Sequence, residues 1–201
     1  MVDEQSSEPR SLTSKGEGLE TILERVLTEA RGFTRAEAGS IYVREGNKLR
    51  FAAVQNDVFT RRYGEEEMRR RLLPRPLELN QPSLAGYVGL TGRTLNVQDA
   101  YRIPSDRPYR FERAFDERNN YLTVSVFLVP IHDQSRNVIG VLQLINALDA
   151  QGQPIPFRPP YGFVQRTLAS YAAIAIQNAK TTTADTQLAT EELPVSSRPD
   201  G

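Results

Sequence analysis

Few side chains in this sequence are of the kinds that catalyse reactions or bind metals. There is no cysteine, which excludes disulfides, thiolate nucleophiles, cysteine-ligated zinc and thioether-linked chromophores within the chain. The single histidine, His132, lies in a polar stretch that predicts a solvated turn rather than a metal or haem ligand. Two acidic pairs, Asp99 with Asp116 and Asp116 with Glu117, have side chains suited to acid–base catalysis, but carboxylates in a polar loop are usually solvated or cap helices. We therefore expect no enzyme.

A charged segment at 60–76, TRRYGEEEMRRRLLPRP, is unlike the rest of the chain. Glu65, Glu66 and Glu67 stand four residues ahead of Arg69, Arg70 and Arg71. On a helix these are favourable pairs, each contributing about 0.3 kcal/mol. The segment predicts a solvated helix over a pocket. A phosphate-binding role for the surplus arginines, Arg61, Arg62 and Arg75, is the alternative.

Charge and hydropathy set broad limits on partners. The 201 residues suit one domain with a sizeable core, and 25 basic residues balance 25 acidic residues. A chain without net charge has no long-range field that attracts nucleic acid or an anionic membrane. The sequence shows neither a secretory leader nor an apolar run of about 18 residues. We expect a cytoplasmic protein with no nucleic-acid or membrane partner.

The strongest structural signal is a central hairpin. Residues 121–129 are rich in β-branched and aromatic side chains and are closed by Pro130, and a polar turn at 132–137 leads to an apolar strand at 138–145. Because the second strand is apolar on both faces, we expect a helix layer on at least one side of the sheet. Gly140 inside this strand marks a packing glycine, a bulge, or a close approach of another backbone or a ligand.

Weaker patterns complete the predicted architecture. They are an amphipathic helix at 19–30 that ends at Gly32, a hairpin of strands 39–44 and 49–55, a short helix capped by Ser83, a strand at 95–97, an ordered lid at 99–120, a loop at 147–160 and a second helix at 163–180. We expect a disordered segment at 1–15, a folded domain at 16–180 and a flexible tail at 181–201, because the ends are polar and three threonines follow Lys180.

Four ordered motifs carry a family resemblance. They are SLAGYV...TG at 83–92, LNVQDAY at 95–101, FDERNNYLTVSVFLVPI at 115–131 and VIGVLQLIN at 138–146. In this order they resemble the GAF domain motifs IAGxV...TG, LNIPDAY, FDxxTGYxTxSxLxxPI and VIGVLQLVN. The domain is therefore similar to a GAF domain, most closely the type found in cyclic-nucleotide phosphodiesterases and cyclases and in bacterial signalling proteins.

The resemblance implies an α+β fold of the profilin-like, PAS-related kind. A central antiparallel sheet of about six strands would carry the two terminal helices on one face and a ligand pocket on the other, roofed by short helices and the lid at 99–120. In relatives the terminal helices commonly form a homodimer interface. An effector such as an HD-GYP phosphodiesterase, a cyclase or a histidine kinase would act in cis, in a longer protein, or in trans.

The resemblance also implies a set of ligand contacts. Positions that bind a cyclic nucleotide in relatives match Ser40, Ala85, Gly86, Tyr87, Asp99, Asn119 and Thr123. Asn119 and Asn120 replace the threonine and glycine of the family's TGY motif. Both remain hydrogen-bonding residues, so the substitution points to a different ligand.

A larger departure concerns the family's NKFDE signature. Asn146 and Phe157 fit it, whereas Ala147 replaces the lysine and Tyr161 and Gly162 stand at the acidic pair. The joint loss of lysine and aspartate fits the loss of one salt bridge, because a partner left buried alone is costly. The fold is expected to survive this change, and cyclic-nucleotide binding is the property it puts in question.

Three functions follow from these features. The first is a regulatory module that binds a small molecule, with a cyclic nucleotide as one candidate and no cofactor, and that signals through its terminal helices. The alternative is an interaction or dimerisation module with a filled pocket. The third is an enzyme, but the GAF group that reduces free methionine sulfoxide uses cysteines, which this chain lacks.

Overall fold

A computed structural model of the chain describes residues 18–72, 76–79 and 82–191, and of 182–191 it describes the backbone only. The elements are α1 (Leu19–Thr34), β1 (Ala36–Glu45), β2 (Lys48–Asn56), α2 (Asp57–Tyr63), α3 (Glu65–Leu72), β3 (Leu77–Glu78), α4 (Leu84–Thr91), β4 (Leu95–Val97), α5 (Arg113–Asn119), β5 (Val126–His132), β6 (Val138–Leu148), β7 (Pro154–Ile155) and α6 (Ala169–Glu191). A 3₁₀ turn, Ala100–Arg102, and a π-helical turn, Val164–Leu168, lie between them.

All the described strands belong to one antiparallel sheet. Its order is β3-β2-β1-β6-β5-β4, and β7 pairs with the end of β6. The predicted hairpins are both present, as β1 with β2 and β5 with β6. They join along β1 and β6, so these two strands occupy the middle of the sheet. The predicted α+β fold, with an antiparallel sheet at its centre, is confirmed.

The two faces of the sheet have different coverings, and the alternation of side chains along β1 separates them. Ile41 and Val43 point into a core that they share with Leu27 of α1 and Ile176 of α6. Tyr42 points the other way, into a second core under α4. The terminal helices therefore pack on one face, as predicted, and the short helices and the lid at 99–120 cover the other.

The start of β5 differs from the prediction. The strand was expected from Tyr121, but it begins at Val126. The N–H groups of Val124 and Ser125 donate to the side-chain oxygen of Asn146, at 2.7 and 3.3 Å, instead of to a backbone carbonyl of the neighbouring strand. A strand-like composition was therefore overridden by one side chain from β6.

The end of β5 also differs from the prediction. Pro130 was expected to close the strand, but it lies inside it, opposite Val141, and the strand continues to His132. On its other side β5 pairs with β4 only over Val126–Leu128. No neighbouring strand therefore needs an N–H group from the proline, which is the condition under which proline is tolerated in a sheet.

His132 is the last residue of β5 rather than a solvated turn residue. Its side chain is partly buried, and a Cβ added to Gly92 would lie 3.0 Å from its Nε2 atom. Burial lowers the pKa of His132, and the charge of Arg136 lowers it further. The imidazole is therefore neutral at neutral pH and acts as a packing group.

The C-terminal helix runs further than the sequence predicts. A flexible tail was expected from residue 181, but α6 continues through the three threonines to Glu191. The Thr181 hydroxyl donates to the carbonyl of Gln177 at 3.1 Å, so it bonds to the preceding turn of the helix.

The disorder predicted for 1–15 lies outside the described residues, as do residues 192–201. No helix in the described part of the chain is long and apolar enough to cross a membrane.

Gly140 provides a test of packing at the centre of the sheet. A Cβ added there would lie 2.5 Å from the carbonyl oxygen of Tyr42 and 3.3 Å from Cδ1 of Ile131, which confirms the close approach of another backbone. We expect Gly140→Ala to lower the free energy of unfolding by about 1–3 kcal/mol, because the strands must separate to admit the methyl group. Urea denaturation measures the change.

Gly32→Ala is the matched control. Gly32 lies in α1, and nothing lies within 4 Å of a Cβ added there. Alanine in a helix is favoured over glycine by up to about 1 kcal/mol, so this variant should be as stable as the parent or more stable. If both variants unfold at the same urea concentration as the parent, the inferred close packing around Gly140 is contradicted.

Candidate functional site

A cavity of about 790 Å³ lies on the sheet face opposite the terminal helices. Its floor consists of residues from β1, β2 and β6, and its roof of the end of α3, the start of α4 and residues 110–112 of the lid. Small-molecule sites usually have volumes of about 300–1,000 Å³. The cavity therefore has room for a small organic molecule.

The wall of the cavity is largely apolar and rich in aromatic rings. Tyr42, Phe51, Phe111, Phe115 and Tyr121 all contribute to it. The rings of Tyr42 and Phe51 are 4.4 Å apart and form one side of the floor. Flat, apolar surfaces of this kind favour ligands with an aromatic or other flat apolar body.

Three of the predicted ligand contacts line the cavity. They are Ser40 in the middle of β1, Ala85 in the first turn of α4, and Thr123 between the lid and β5. Burial raises the pKa of Tyr42, and the nearby Ser40 hydroxyl opposes this rise only in part, so the phenol stays protonated.

Gly86 and Tyr87 do not line the cavity, although both are in α4. The N–H of Gly86 donates to the Ser83 hydroxyl at 3.0 Å, which confirms Ser83 as the N-cap of the helix. The ring of Tyr87 packs against Tyr109 of the lid with centroids 4.8 Å apart. These contacts hold the lid on α4.

Asp99 and Asn119 are also outside the lining of the cavity. Asp99 caps the 3₁₀ turn by accepting from the N–H of Tyr101 at 2.9 Å. Asn119 ends α5, and its side-chain amide donates to the carbonyl of Phe115 at 2.7 Å. Each side chain satisfies local backbone groups, so the structure does not bring the seven predicted contacts together.

Asp116 is a buried carboxylate, with 1% of its surface exposed. It accepts from the N–H of Thr123 at 2.7 Å, from the Thr123 hydroxyl at 3.0 Å and from the Tyr101 hydroxyl at 2.9 Å. Burial raises the pKa of Tyr101, and its bond to Asp116 adds to the effect. The carboxylate considered for acid–base chemistry therefore fastens the lid to the segment before β5.

Asn146 is a fully buried polar side chain with several hydrogen-bond partners. Its Oδ1 atom accepts from the N–H groups of Val124 and Ser125, and its Nδ2 atom donates to the Leu122 carbonyl at 2.7 Å and to Glu37 at 3.1 Å. Its backbone is left-handed, with φ of 56°, a conformation that asparagine adopts more readily than most residues. The asparagine of the NKFDE-like signature thus positions the segment that carries Thr123.

The rest of that signature has become apolar. Ala147 is buried, and Phe157 is fully buried between Phe127 and Tyr161, with ring centroids 5.9 and 6.1 Å away. Replacing a buried ion pair by well-packed apolar groups is often neutral or stabilising. The packing explains how the fold tolerates the loss of both charged partners.

The charged segment at 60–76 forms two helices rather than one, because Gly64, with φ of 80°, separates α2 from α3. The ion pairs described within the segment are Arg69 with Glu65 at 3.0 Å, Arg71 with Glu67 at 2.7 Å and Arg70 with Glu67 at 2.6 Å. Arg62 donates to the carbonyls of Asn119 and Asn120, both at 3.0 Å. Arg62 is therefore engaged in fastening the lid, and Arg75 lies outside the described residues.

The cavity is also lined by three polar residues that the sequence analysis did not single out. They are Gln55 at the end of β2, Arg110 in the lid, and Gln143 in the middle of β6. Gln143 interrupts the apolar run at 138–145 within β6, which was a visible signal. Gln143 and Ser40 are directly paired across β6 and β1, so the floor has a polar centre.

Asn146 provides the test of how the site is held. We expect Asn146→Ala to lower the free energy of unfolding by about 3 kcal/mol, because several buried groups lose their partners, each worth about 1 kcal/mol, and alanine disfavours a positive φ. Asn146→Gly relieves the backbone and should recover part of this loss. Chemical denaturation measures both variants, and an alanine variant as stable as the parent would contradict the proposed role.

Comparisons with known proteins bear on the family. The GAF domain matches residues 18–176. The GAF domain from Acinetobacter phosphoenolpyruvate-protein phosphotransferase is 19% identical over 85% of this chain and 89% of that chain, with a TM-score of 0.61. The GAF domain/HD domain protein from Geobacter sulfurreducens is 16% identical over 81% and 94%, with a TM-score of 0.57.

Free methionine-R-sulfoxide reductase from Neisseria meningitidis is 13% identical over 86% of this chain and 83% of that chain, with a TM-score of 0.56. At such identities the likeness shows the fold alone, and the fold is shared by enzymes and by non-enzymes. The sequence match covers far more than half of the 201 residues. The chain therefore belongs to the GAF domain family.

Proposed function

We propose that this GAF domain is a regulatory module that binds a small organic molecule in its cavity and transmits occupancy to its terminal helices. One observation carries the proposal: a residue of the cavity wall, Gln55, is hydrogen-bonded to α1. A ligand that changes the position of Gln55 changes the contacts of a terminal helix. Ligand binding then shifts a population of helix arrangements.

The contacts of Gln55 are numerous. Its Nε2 atom lies 3.1 Å from the Glu24 carbonyl, 2.8 Å from the Glu24 carboxylate and 2.9 Å from the Thr28 hydroxyl. Its Oε1 atom accepts from Arg31 at 3.0 Å. Three residues on one face of α1 therefore converge on the side chain of Gln55, which points to α1 while its backbone borders the cavity.

A second contact reaches the same helix from the roof. Leu72 at the end of α3 lines the cavity. One turn earlier, Arg69 donates to the Glu24 carboxylate at 2.6 Å. A ligand that displaces α3 therefore acts on the residue that also binds Gln55, and Glu24 is the point where the two routes meet.

A cyclic nucleotide is one candidate ligand, but the site gives it limited support. Of the seven positions matched to cyclic-nucleotide contacts, only Ser40, Ala85 and Thr123 line the cavity. Thr123 is already bonded to Asp116 through its N–H and its hydroxyl. The combination of a GAF domain with an HD domain in the Geobacter protein supports an effector joined to a module of this fold.

A second candidate function is an interaction or homodimerisation module. Phe33 at the end of α1 is 54% exposed and Phe163 before α6 is 43% exposed, and their rings are 5.1 Å apart. Ile174 on α6 is 47% exposed. This apolar surface on the terminal helices supports association of two copies, with or without a ligand.

A thermal-shift and native mass-spectrometry experiment tests the regulatory function. The purified protein is screened against cyclic AMP, cyclic GMP, cyclic di-GMP and simple aromatic acids. A ligand present at 100 times its Kd stabilises the native state by about 2.7 kcal/mol, which raises Tm by about 5–10 °C. Ala85→Phe, which fills the cavity from α4, should abolish the shift. Leu90→Phe, on the same helix at a position 55% exposed, should keep it.

Transmission is tested separately with Glu24→Ala. Glu24 bonds to Gln55 and Arg69 but does not line the cavity. We expect the variant to bind the ligand within about threefold of the parent, since its cavity wall is unchanged. In this variant the ligand should no longer change hydrogen exchange in α1.

If no ligand shifts Tm and the parent is a dimer that Phe33→Glu dissociates, the interaction module replaces the regulatory function.

A further inference from the structure

The polar groups around the cavity point to a definite class of ligand. We propose that the cavity takes an amphipathic organic anion, with a flat apolar body, one acidic group bound by Arg110 and one hydrogen-bonding group bound by Gln143. The inference rests on the proposed function, because it deepens the description of the same cavity. It follows from sorting the polar lining residues into those already engaged and those left for a ligand.

Three polar residues of the lining are helix caps. The side-chain oxygens of Asn56, Ser83 and Glu112 each accept an N–H group in the first turn of α2, α4 and α5, respectively, at 3.0 Å. Backbone N–H groups at helix starts have no partner within the helix, so these caps stabilise the fold. A ligand that competed for these oxygens would unravel the helix starts.

Two more polar residues are bonded within the protein. Gln55 has its amide nitrogen and oxygen occupied by residues of α1. Thr123 donates its hydroxyl to Asp116 and is held by its backbone as well. Neither presents a free side-chain donor to the cavity.

Gln143 is the polar residue at the centre of the cavity floor. Its side chain makes no hydrogen bond with another described residue, although it is partly buried in the floor of the cavity. An amide removed from bulk water without a partner is unfavourable, so a bound group or water has to satisfy it. Ser40, directly across the strand pair, adds a hydroxyl beside it. The centre of the floor therefore accepts one neutral hydrogen-bonding group of a ligand.

The side chain of Arg110 likewise makes no hydrogen bond with a described residue. Its backbone N–H is fixed to the Pro82 carbonyl at 2.7 Å, which sets its place at the rim, and its guanidinium has no ion pair with any described residue. Glu112 supplies the one acid among the described lining residues, and one of its oxygens caps α5. A guanidinium binds carboxylates, sulfonates and phosphates through paired hydrogen bonds.

Aromatic rings line the same cavity as these two polar residues. Phe51 and Tyr42 form the floor beside Gln143, and Phe111 follows Arg110 in the lid. Such rings favour the flat face of an aromatic body over a sugar or a flexible polar chain. An aromatic acid with a second polar group at its far end matches the apolar walls, the neutral floor and the basic rim together.

Isothermal titration calorimetry with three matched probes tests the proposal. The probes are naphthalene-2-carboxylate, its neutral carboxamide, and 6-hydroxynaphthalene-2-carboxylate. The carboxylate should bind the parent protein about tenfold more tightly than the carboxamide, because only the acid forms the charge-assisted pair. Arg110→Gln should reduce this ratio to within about twofold. Arg107→Gln, an exposed lid arginine outside the cavity lining, is the matched control and should preserve the ratio.

The floor is tested with Gln143→Met, which keeps the size of the side chain and removes its polar groups. We expect the affinity of the hydroxylated probe to fall about fivefold, while the parent naphthoate changes by less than about twofold. Equal losses for the two probes would assign Gln143 to packing and overturn its role in binding. Circular dichroism and Tm of each variant establish that it is folded.

The outcomes separate this inference from the proposed function. A carboxamide that binds as tightly as the acid, with binding abolished by Ala85→Phe, overturns the anionic class and leaves a small-molecule site. Failure of all three probes to bind, or tighter binding of cyclic AMP, also overturns the aromatic-acid class. Binding of the acid that depends on Arg110 but leaves hydrogen exchange in α1 unchanged supports the ligand class and overturns the regulatory function.

Discussion

The hydrogen bonds of Asn146 are the interaction on which the site depends. The Asn146 side chain forms hydrogen bonds with the backbone of Leu122, Val124 and Ser125. These bonds hold the segment before β5 out of the sheet. The same segment carries Thr123, whose bonds to Asp116 fix α5 and the lid. Asn146 of the central strand β6 thus sets the position of the cavity wall and of the lid above it.

The placement of β1 and β6 imposes the second constraint. Both strands are covered on both faces, so each alternate residue faces either the terminal helices or the cavity. Gly39 shows how closely the layers approach, because a Cβ there would lie 2.8 Å from Leu27 of α1. A ligand on one face is therefore separated from the helices by one layer of backbone, a distance at which small shifts in packing can be transmitted.

Sequence patterns predicted the elements of this fold well because they depend on local periodicity and on ordered motifs. The same patterns failed where one distant side chain decided the outcome. The apolar run from Tyr121 reads as a strand, but Asn146 bonds its N–H groups. The ligand contacts were harder to predict for a different reason, because Asp99 and Asn119 match a ligand motif while their side chains bond to nearby backbone groups. Gln143 was visible in the sequence as a polar residue within an apolar run, whereas Gln55 was recognisable as a lining residue only after the fold had placed it at the cavity.

The scale of any signal from the cavity is limited by the bonds that carry it. A ligand shifts an equilibrium only by its difference in affinity for the two states. Hydrogen bonds contribute about 1 kcal/mol each, and those of Gln55 to α1 are partly exposed, so their rearrangement fits the range of about 1–3 kcal/mol that couples sites in regulatory proteins. Because Glu24 bonds to both Gln55 and Arg69, movements of the floor and of the roof converge on one carboxylate of α1. In the proposed function, the helix would therefore respond to the occupancy of the whole cavity rather than to one contact within it.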